Sequence, residues 1–506
     1  MKISSFIQPH NEADKAYNLA TEKIEVYTDQ NHEPYIIIRD SKYIIYFANR
    51  DEIKRLVIKW YIDKYKTTIR PTDVNTALET LYAQAENCND IKDVATRIYQ
   101  KNDVIYYDLY NSNKIVKCSK GNVSVITETE IQDFYFIRDN FQIPQCIPNL
   151  EVSSANLLDI ISKHFNIAKQ HSLLFAVCVC TAFIPNINHP ILIIEGEKGS
   201  GKSTMCRNLL NIINPTKKEL LVMPNDTNNL VTVLSNNYLA CFDNIGALGT
   251  EHSNTLCLAV TGGTLSKRKL YTDNAEISIN IRRIVVLNGL ALQIAQSDLV
   301  DRSIMLYLNR ISEENRNTES NLNINFARDL PDLLGSIFNT ISKALSLYGH
   351  TKLNNLPRMA DFCAIGYCIA ESIEEGKGEQ FIKDYADNIK FATESIVGDN
   401  PVLECIKYIA DNIGYWHSTM SELLLKMRSI IENTHIDRRI PANFPKNPSA
   451  LSRKLNNYQH DLKTLGISVE IGRSTDRYVT IGSPENINVA VDTDKTDDIE
   501  DIINFD

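Results

Sequence analysis

Residues Gly196 to Thr204 read GEKGSGKST, which is the spacing G-x-x-x-x-G-K-S/T. Glycines so placed let successive backbone N–H groups turn inward around a polyphosphate, and a following helix adds partial positive charge. The nonapeptide follows the apolar run Ile191 to Glu195 and opens the helix-like stretch Met205 to Ile213. That strand–loop–helix context is what the motif needs. Lys202 would then reach the β and γ phosphates and Ser203 would ligate Mg²⁺, within a cradle formed by Gly196, Glu197, Lys198, Gly199, Ser200, Gly201 and Thr204. ATP and Mg²⁺ are therefore the expected cofactors.

A second acidic motif should hold the metal through its water shell. Asp243 closes the apolar run YLACFD some forty residues on, although an Asp at a strand end can be a simple cap. Its neighbour Asn244 stands where many motor ATPases place a glutamate that polarises the attacking water. An amide orients water but accepts no proton, so the general base stays unassigned. Phosphoryl transfer depends mainly on positioning and charge stabilisation, and hydrolysis can survive that substitution. Asn288, after the run RIVVL, could report the γ phosphate or could merely form a turn before Gly289. Arg302, in DLVDRS, could reach a neighbouring subunit's γ phosphate, the plain alternative being a contact with Asp301. Arg358, just after Pro357, is a candidate second arginine sensor.

Two cationic clusters invite contact with nucleic acid. Lys267, Arg268 and Lys269 stand beside Tyr271 on an insertion between the Asp243 and Asn288 runs, and could grip a backbone while the ring stacks on a base. Arg453 and Lys454, with Arg473 and Arg477 beyond them, could contact phosphate. Charge runs are more often solvated faces.

These residues need elements to position them. From Asn156 to about Val397 apolar runs alternate with helical stretches, the α/β signature of a mostly parallel sheet. In such sheets ligands sit at the carboxyl ends of strands, where Asp243 and Asn288 would meet the loop. Three helical patterns between Leu403 and Leu465, then an alternating stretch from Ile467 to Ile481 with Gly472 near its turn, suggest a winged helix. Upstream, the run Asp103 to Ile126 reads as a hairpin turning at Gly121, and Pro144 to Pro148 as a linker. The expected division is an N-terminal α+β domain over 1–150, open to DNA or partner binding, an ATPase core with helical lid over 151–398, a winged helix over 399–484, and an acidic, disordered tail over 485–506.

With 506 residues and 11 cysteines, none in a C-x-x-C pair, the chain is expected to be multidomain, soluble and cytoplasmic, without a disulfide framework or zinc. Its longest apolar stretch, Ser172 to Ile184, stops at Pro185 and is too short to cross a bilayer, so it is expected as a buried helix beneath the loop. The net charge of −10 misleads about nucleic acid. From Asp492 onward seven acidic residues face one lysine, whereas Asp437 to Gly482 carries eight basic residues against four acidic ones. Local patches decide the matter.

The ordered set GEKGSGKST, CFDNIGAL, VTGGTLSKRKLYTD, RRIVVLNG, DLVDRSI and LPRMADF resembles the AAA+ helicases of phages and integrating mobile elements, of the phage primase-helicase type near superfamily 3. It is similar also to the self-loading, minichromosome-maintenance-like helicases of staphylococcal chromosome cassettes. The resemblance covers roughly residues 90 to 482. It implies an AAA+ core in a homo-hexamer acting on single-stranded or forked DNA. Sites would lie between subunits, with Lys202, Ser203, Asp243 and Asn288 from one protomer and Arg302 and Arg358 from its neighbour. The pre-sensor hairpin would carry Lys267, Arg268 and Lys269 as its pore element. No primase or polymerase motif stands upstream, so priming is not expected.

Three readings follow: a DNA helicase replicating a mobile element, an origin-binding initiator ATPase that melts DNA without translocating, and a small-molecule kinase. A trailing winged helix and a trans arginine disfavour the third. The acidic tail could dock a replication partner, or merely solvate the chain.

Overall fold

The computed structural model describes residues 10–483, apart from 40–43, 89, 132, 138–140, 269–275, 291, 295, 352, 354–355, 435–439, 441–443 and 474–476. The first elements are α1 (Glu12–Lys23), β1 (Ile24–Thr28), β2 (Pro34–Ile38), β3 (Ile44–Tyr46), α2 (Arg50–Tyr65) and α3 (Pro71–Glu86). Asn11 starts α1 through a reciprocal cap with Asp14, and Pro71 starts α3 with its fixed φ. The antiparallel sheet β1–β2–β3 lays Val26, Ile36 and Ile45 against Ala16, Val57 and Leu81 of the three helices.

A second set of strands follows: β4 (Asp93–Ala95), β5 (Ile98–Lys101), β6 (Val104–Asn111), β7 (Lys114–Ser119), β8 (Asn122–Thr127) and β9 (Phe134–Phe136). The expected hairpin is thus part of a four-stranded meander, β5–β6–β7–β8. Its extra turn lies at Ser112 and Asn113, with φ of 51° and 56°, the paired left-handed geometry of a tight hairpin turn. Ile105, Tyr107, Leu109 and Val116 of this sheet share one apolar core with the helices beneath the glycine-rich loop.

Next come α4 (Leu157–His164), α5 (Ser172–Thr181), β10 (Ile191–Gly196), α6 (Lys202–Ile213), α7 (Thr227–Ser235), β11 (Leu239–Phe242), β12 (Ala247–Leu248), α8 (Thr250–Thr261), β13 (Gly263–Arg268), β14 (Glu276–Ile281), β15 (Ile284–Asn288), β16 (Gln293–Ile294), α9 (Ser297–Val300) and β17 (Ser303–Leu308). Four strands form a parallel sheet in the order β11–β15–β10–β17. Leu221 extends it past β11 by a single parallel bridge to Phe242. Side chains alternate across the sheet. Leu192, Ile194, Cys241, Val286 and Ile304 face α5 and α6, whereas Ile193, Phe242, Val285, Leu287 and Met305 face α7 and α8. Covering both faces is what makes these strands continuously apolar. α5 is the buried helix expected from its composition.

The segment Pro144 to Pro148 is no free linker. Gln145 is buried, and its Nε2 donates to the carbonyls of Asn211 (2.9 Å) and Ile212 (3.1 Å) at the end of α6. Arg97, wholly buried, donates to the carbonyls of Asp108, Ile143 and Pro215, each at 3.0 Å, and to Asn214 Oδ1 at 3.4 Å. One cation thereby ties β6, Ile143 and the residues just past the end of α6. Arg97→Met should leave those acceptors buried and unsatisfied, costing about 3–5 kcal/mol. A lowered unfolding midpoint in a denaturant titration checks this.

The chain continues through α10 (Glu319–Tyr348), α11 (Ala360–Ile373) and α12 (Lys377–Asp399), which pack beside the sheet. The last unit comprises α13 (Pro401–Ile413), β18 (Tyr415–Thr419), α14 (Met420–Thr434), α15 (Pro448–Thr464), β19 (Ser468–Arg473) and β20 (Arg477–Gly482). It has its own core, built from Leu403, Ile406, Leu423, Met427, Leu451, Leu455, Val479 and Ile481. The sheet is β18–β20–β19, so a strand absent from the sequence expectation joins the expected pair. Among the described residues no helix is long and apolar enough to cross a membrane.

Candidate active site

The glycine-rich loop leaves β10 at Gly196, whose φ of 148° and crowding demand glycine: a Cβ there would lie 2.3 Å from the Leu308 carbonyl oxygen. Gly201, at φ 89°, turns the chain into α6. The first turn of that helix presents N–H groups without intrahelical acceptors, the physical basis of anion binding at a helix start. Lys202 Nζ folds back over the loop and donates to the carbonyls of Gly196 (2.7 Å) and Glu197 (2.9 Å). Burial pulls its ammonium below the ordinary lysine value, against the opposing charge of Asp243.

Parallel register brings the strand ends together, since Ile194 of β10 lies opposite Asn288 and Phe242 opposite Leu287. Ser203 Oγ donates to Asp243 at 3.3 Å, and Asn288 Nδ2 donates to Asp243 Oδ1 at 2.5 Å. Hydroxyl, carboxylate and amide thus meet at the carboxyl end of the sheet beside the loop. Hard oxygen donors at this spacing suit Mg²⁺ completed by phosphate and water. Among the described residues no group of three or more His, Cys, Asp or Glu could hold a metal alone, so a cation here would need the ligand's own oxygens.

Asn244 is exposed and left-handed, with φ 58°, and its backbone N–H donates to Asp243 Oδ1 at 2.9 Å. Its conformation is one that Asn tolerates well. Glu195, at the end of β10, is engaged in accepting from the Leu292 N–H at 2.7 Å.

The two arginines lie at the other end of the sheet. Ile191 N–H donates to the Arg302 carbonyl at 2.8 Å, and Ser303 pairs with Ile191 while Leu308 pairs with Gly196. Five strand residues, about 17 Å, separate Arg302 from its own loop. Arg302 pairs with Asp298 (3.3 Å), and Arg358 pairs with Asp298 and with Asp301 (3.5 Å). Two guanidiniums far apart in sequence therefore share the carboxylate of Asp298. Burial pushes the Asp298 carboxyl upward, but the two arginines outweigh it and hold it below the usual range.

Residues without a motif signal also shape the loop. Asn166 Nδ2 bridges the carbonyls of Ser200 (3.0 Å) and Asn309 (2.7 Å), and Ile311 N–H donates to the Gly199 carbonyl at 3.3 Å. The segment after β17 is thereby fastened along the loop's flank. It carries Arg316, exposed, with Nη2 3.7 Å from where a Cβ on Gly199 would stand. Among the described residues that guanidinium has no carboxylate partner, so a second cation is available to the loop within the same chain.

Two family descriptions match the chain in tandem. Residues 156–385 match the actinomycete integrative conjugative element replication protein, and residues 400–495 match the C-terminal domain of the same replication protein family. The chain is a replication protein of a mobile element. No curated relative matches it. Among solved structures it is similar to the A form apo structure of the NrS-1 C terminal region, with 12% identity over 92% of this chain and 98% of that one, at a TM-score of 0.40. A second apo structure of that region covers 94% of this chain and 100% of its own, also at 12% identity and 0.40.

In this replication protein the first cationic cluster lies on an antiparallel pair, β13 with β14, in which Lys267 is opposite Ile277 and Arg268 opposite Glu276. Lys269 and Tyr271 fall outside the described residues, and for Lys267 and Arg268 the backbone position alone is described. Arg473 and Arg477 are register partners in the backbone pairing of β19 with β20, and their backbone positions alone are described. Arg453 is exposed on α15 and Lys454 half-buried beside it. The acidic tail also lies outside the described residues.

Proposed function

We propose that this replication protein is an ATP-dependent DNA helicase, an AAA+ motor working as a hexameric ring with ATP and Mg²⁺ bound between neighbouring copies. One observation carries the reading. The phosphate-loop cluster and the paired arginines occupy opposite ends of a single parallel sheet, which supports a role for Arg302 and Arg358 at a nucleotide held by another copy. Head-to-tail contacts of that kind close into rings. Lys202 would neutralise the β and γ phosphates, Ser203 and Asp243 would hold Mg²⁺, Asn288 would bond the γ phosphate, and the neighbour's arginines would stabilise charge in the transition state.

Supporting the DNA partner are the antiparallel pair β13–β14, whose backbone carries Lys267 and Arg268 on an insertion before the Asn288 strand, and the element order of the last unit. Helix, strand, helix, helix, strand, strand is the order of a winged helix. The tail remains a candidate contact for a replication partner, and a DNA replication protein of this kind would work in the cytoplasm.

An initiator that melts an origin without translocating is the second reading, and Asn244 favours it. With an amide in place of a carboxylate beside Asp243, slow hydrolysis suits a switch. Separation of a long forked duplex discriminates the two. The motor unwinds it continuously while ATP lasts, and arrest after the first turns of duplex, with turnover still stimulated by DNA, would select the switch.

A further inference from the structure

Arg316 reaches the glycine-rich loop from outside its motif. Its Nη2 lies 3.7 Å from the point where a Cβ on Gly199 would stand, on the side of the loop that this glycine leaves open. Gly199 is also left-handed, at φ 80°, a conformation glycine adopts without strain. The segment that carries Arg316 is fastened at several points. Asn166 holds the Ser200 and Asn309 carbonyls together, and Ile311 N–H donates to the Gly199 carbonyl. A short 3-10 turn, Glu313–Asn315, then closes as the Arg316 N–H donates to the Glu313 carbonyl at 3.3 Å. The guanidinium is thus delivered to the loop by backbone contacts, not by a charge partner.

Among the described residues that guanidinium has neither a carboxylate nor a hydrogen-bond acceptor. Other cations near it or on the same sheet are engaged. Arg207 of α6 pairs with Glu319 at 3.8 Å, Lys202 donates to two loop carbonyls, and Arg302 and Arg358 share Asp298. The helix start behind the loop presents free N–H donors as well, so an anion held by the loop would satisfy both. Phosphate suits the role, because it accepts two parallel N–H bonds from one guanidinium.

We propose that Arg316 binds the terminal phosphates of the nucleotide held by its own chain, a partner in cis to Arg302 and Arg358 in trans. This rests on the reading of the loop as an ATP site, but not on the ring. Within one chain Asp243 offsets the charge of Lys202, and a magnesium triphosphate stays anionic, so a second cation adds to its binding. A nucleoside monophosphate lacks the terminal groups. Arg316 should therefore matter for ATP and not for AMP.

The test compares the affinities of ATP and AMP for the intact wild-type chain and its Arg316→Ala and Arg316→Lys variants, by calorimetry. Arg316→Ala should lose about tenfold in ATP affinity, with AMP affinity and the unfolding midpoint without nucleotide unchanged. Arg316→Lys, which keeps the charge but not the fork, should recover part of the loss. An ATP affinity unaltered in Arg316→Ala would overturn the proposal, as would an equal loss for ATP and AMP. A wild-type chain that binds ATP no better than AMP would overturn the loop reading and the proposal with it. Mixing then separates cis from trans. Lys202→Ala and Arg316→Ala disable the same site, so their combined turnover should stay at the level of the separate variants, whereas Arg316→Ala with Arg302→Ala should regain activity. Recovery by the first pair would overturn the cis assignment. No recovery by the second, with the ATP loss intact, would count against the shared ring site and leave the phosphate contact standing.

Discussion

Lys202→Ala is expected to lower ATP turnover by at least about 10²-fold and to abolish separation of a forked duplex, while the protein stays folded and still binds DNA. The expectation comes from what the side chain touches. Among the described residues its ammonium donates to the carbonyls of Gly196 and Glu197, both in the loop, so its removal costs no core packing. The sheet, its two apolar cores and the C-terminal unit are built without it. On the proposed reading, what disappears is the positive charge that would meet phosphate charge developing at the loop, where the other donors are backbone N–H groups. Phosphate release, fork separation and the unfolding midpoint measured on the same preparation check this. Retained unwinding by the variant would remove the loop from the motor.

Much of this site is legible in the residues themselves, because its chemistry constrains types at fixed spacing. The glycines, Lys202 and Ser203 advertise the loop. Asp243 and Asn288 can be placed because apolar strands end in them, and the parallel register then carries them to the loop. What escapes such reasoning comes from chain segments that have no motif. Asn166 and Arg316 reach the loop from regions 30 or more residues away on either side, through a bridging amide and a backbone hydrogen bond. Nothing in the types or spacing of either residue signals that approach. Arg97 is a lone arginine whose burial is set by three segments converging on it. The run Pro144 to Pro148 has the composition of a linker, yet Gln145 packs inward to cap the end of α6. In the last unit β18 is only five residues long and half polar, with little periodicity, and it becomes a strand by pairing with β20. Leu221 extends the parallel sheet by one bridge alone, too short for any apolar run.

Arg302 supplies the more demanding expectation. Arg302→Ala and Arg358→Ala should each depress turnover by about 10³-fold or more, the scale of an arginine acting on a transferring phosphoryl group, while leaving nucleotide affinity nearly unchanged. Arg302 stands about 17 Å from its own loop by strand length and shares Asp298 with Arg358. On the proposed reading, both would serve a nucleotide held by another copy. Mixing therefore decides the central claim. Lys202→Ala protein lacks the loop cation but keeps Arg302, and Arg302→Ala protein has the reverse. In randomly mixed rings about a quarter of the head-to-tail interfaces would join an intact loop to an intact arginine. The measurement is ATP turnover of the two inactive proteins combined in the presence of forked DNA. A site shared between copies predicts that activity returns on mixing. Turnover that stays at the level of the separate variants, in assemblies shown to contain both, would contradict it.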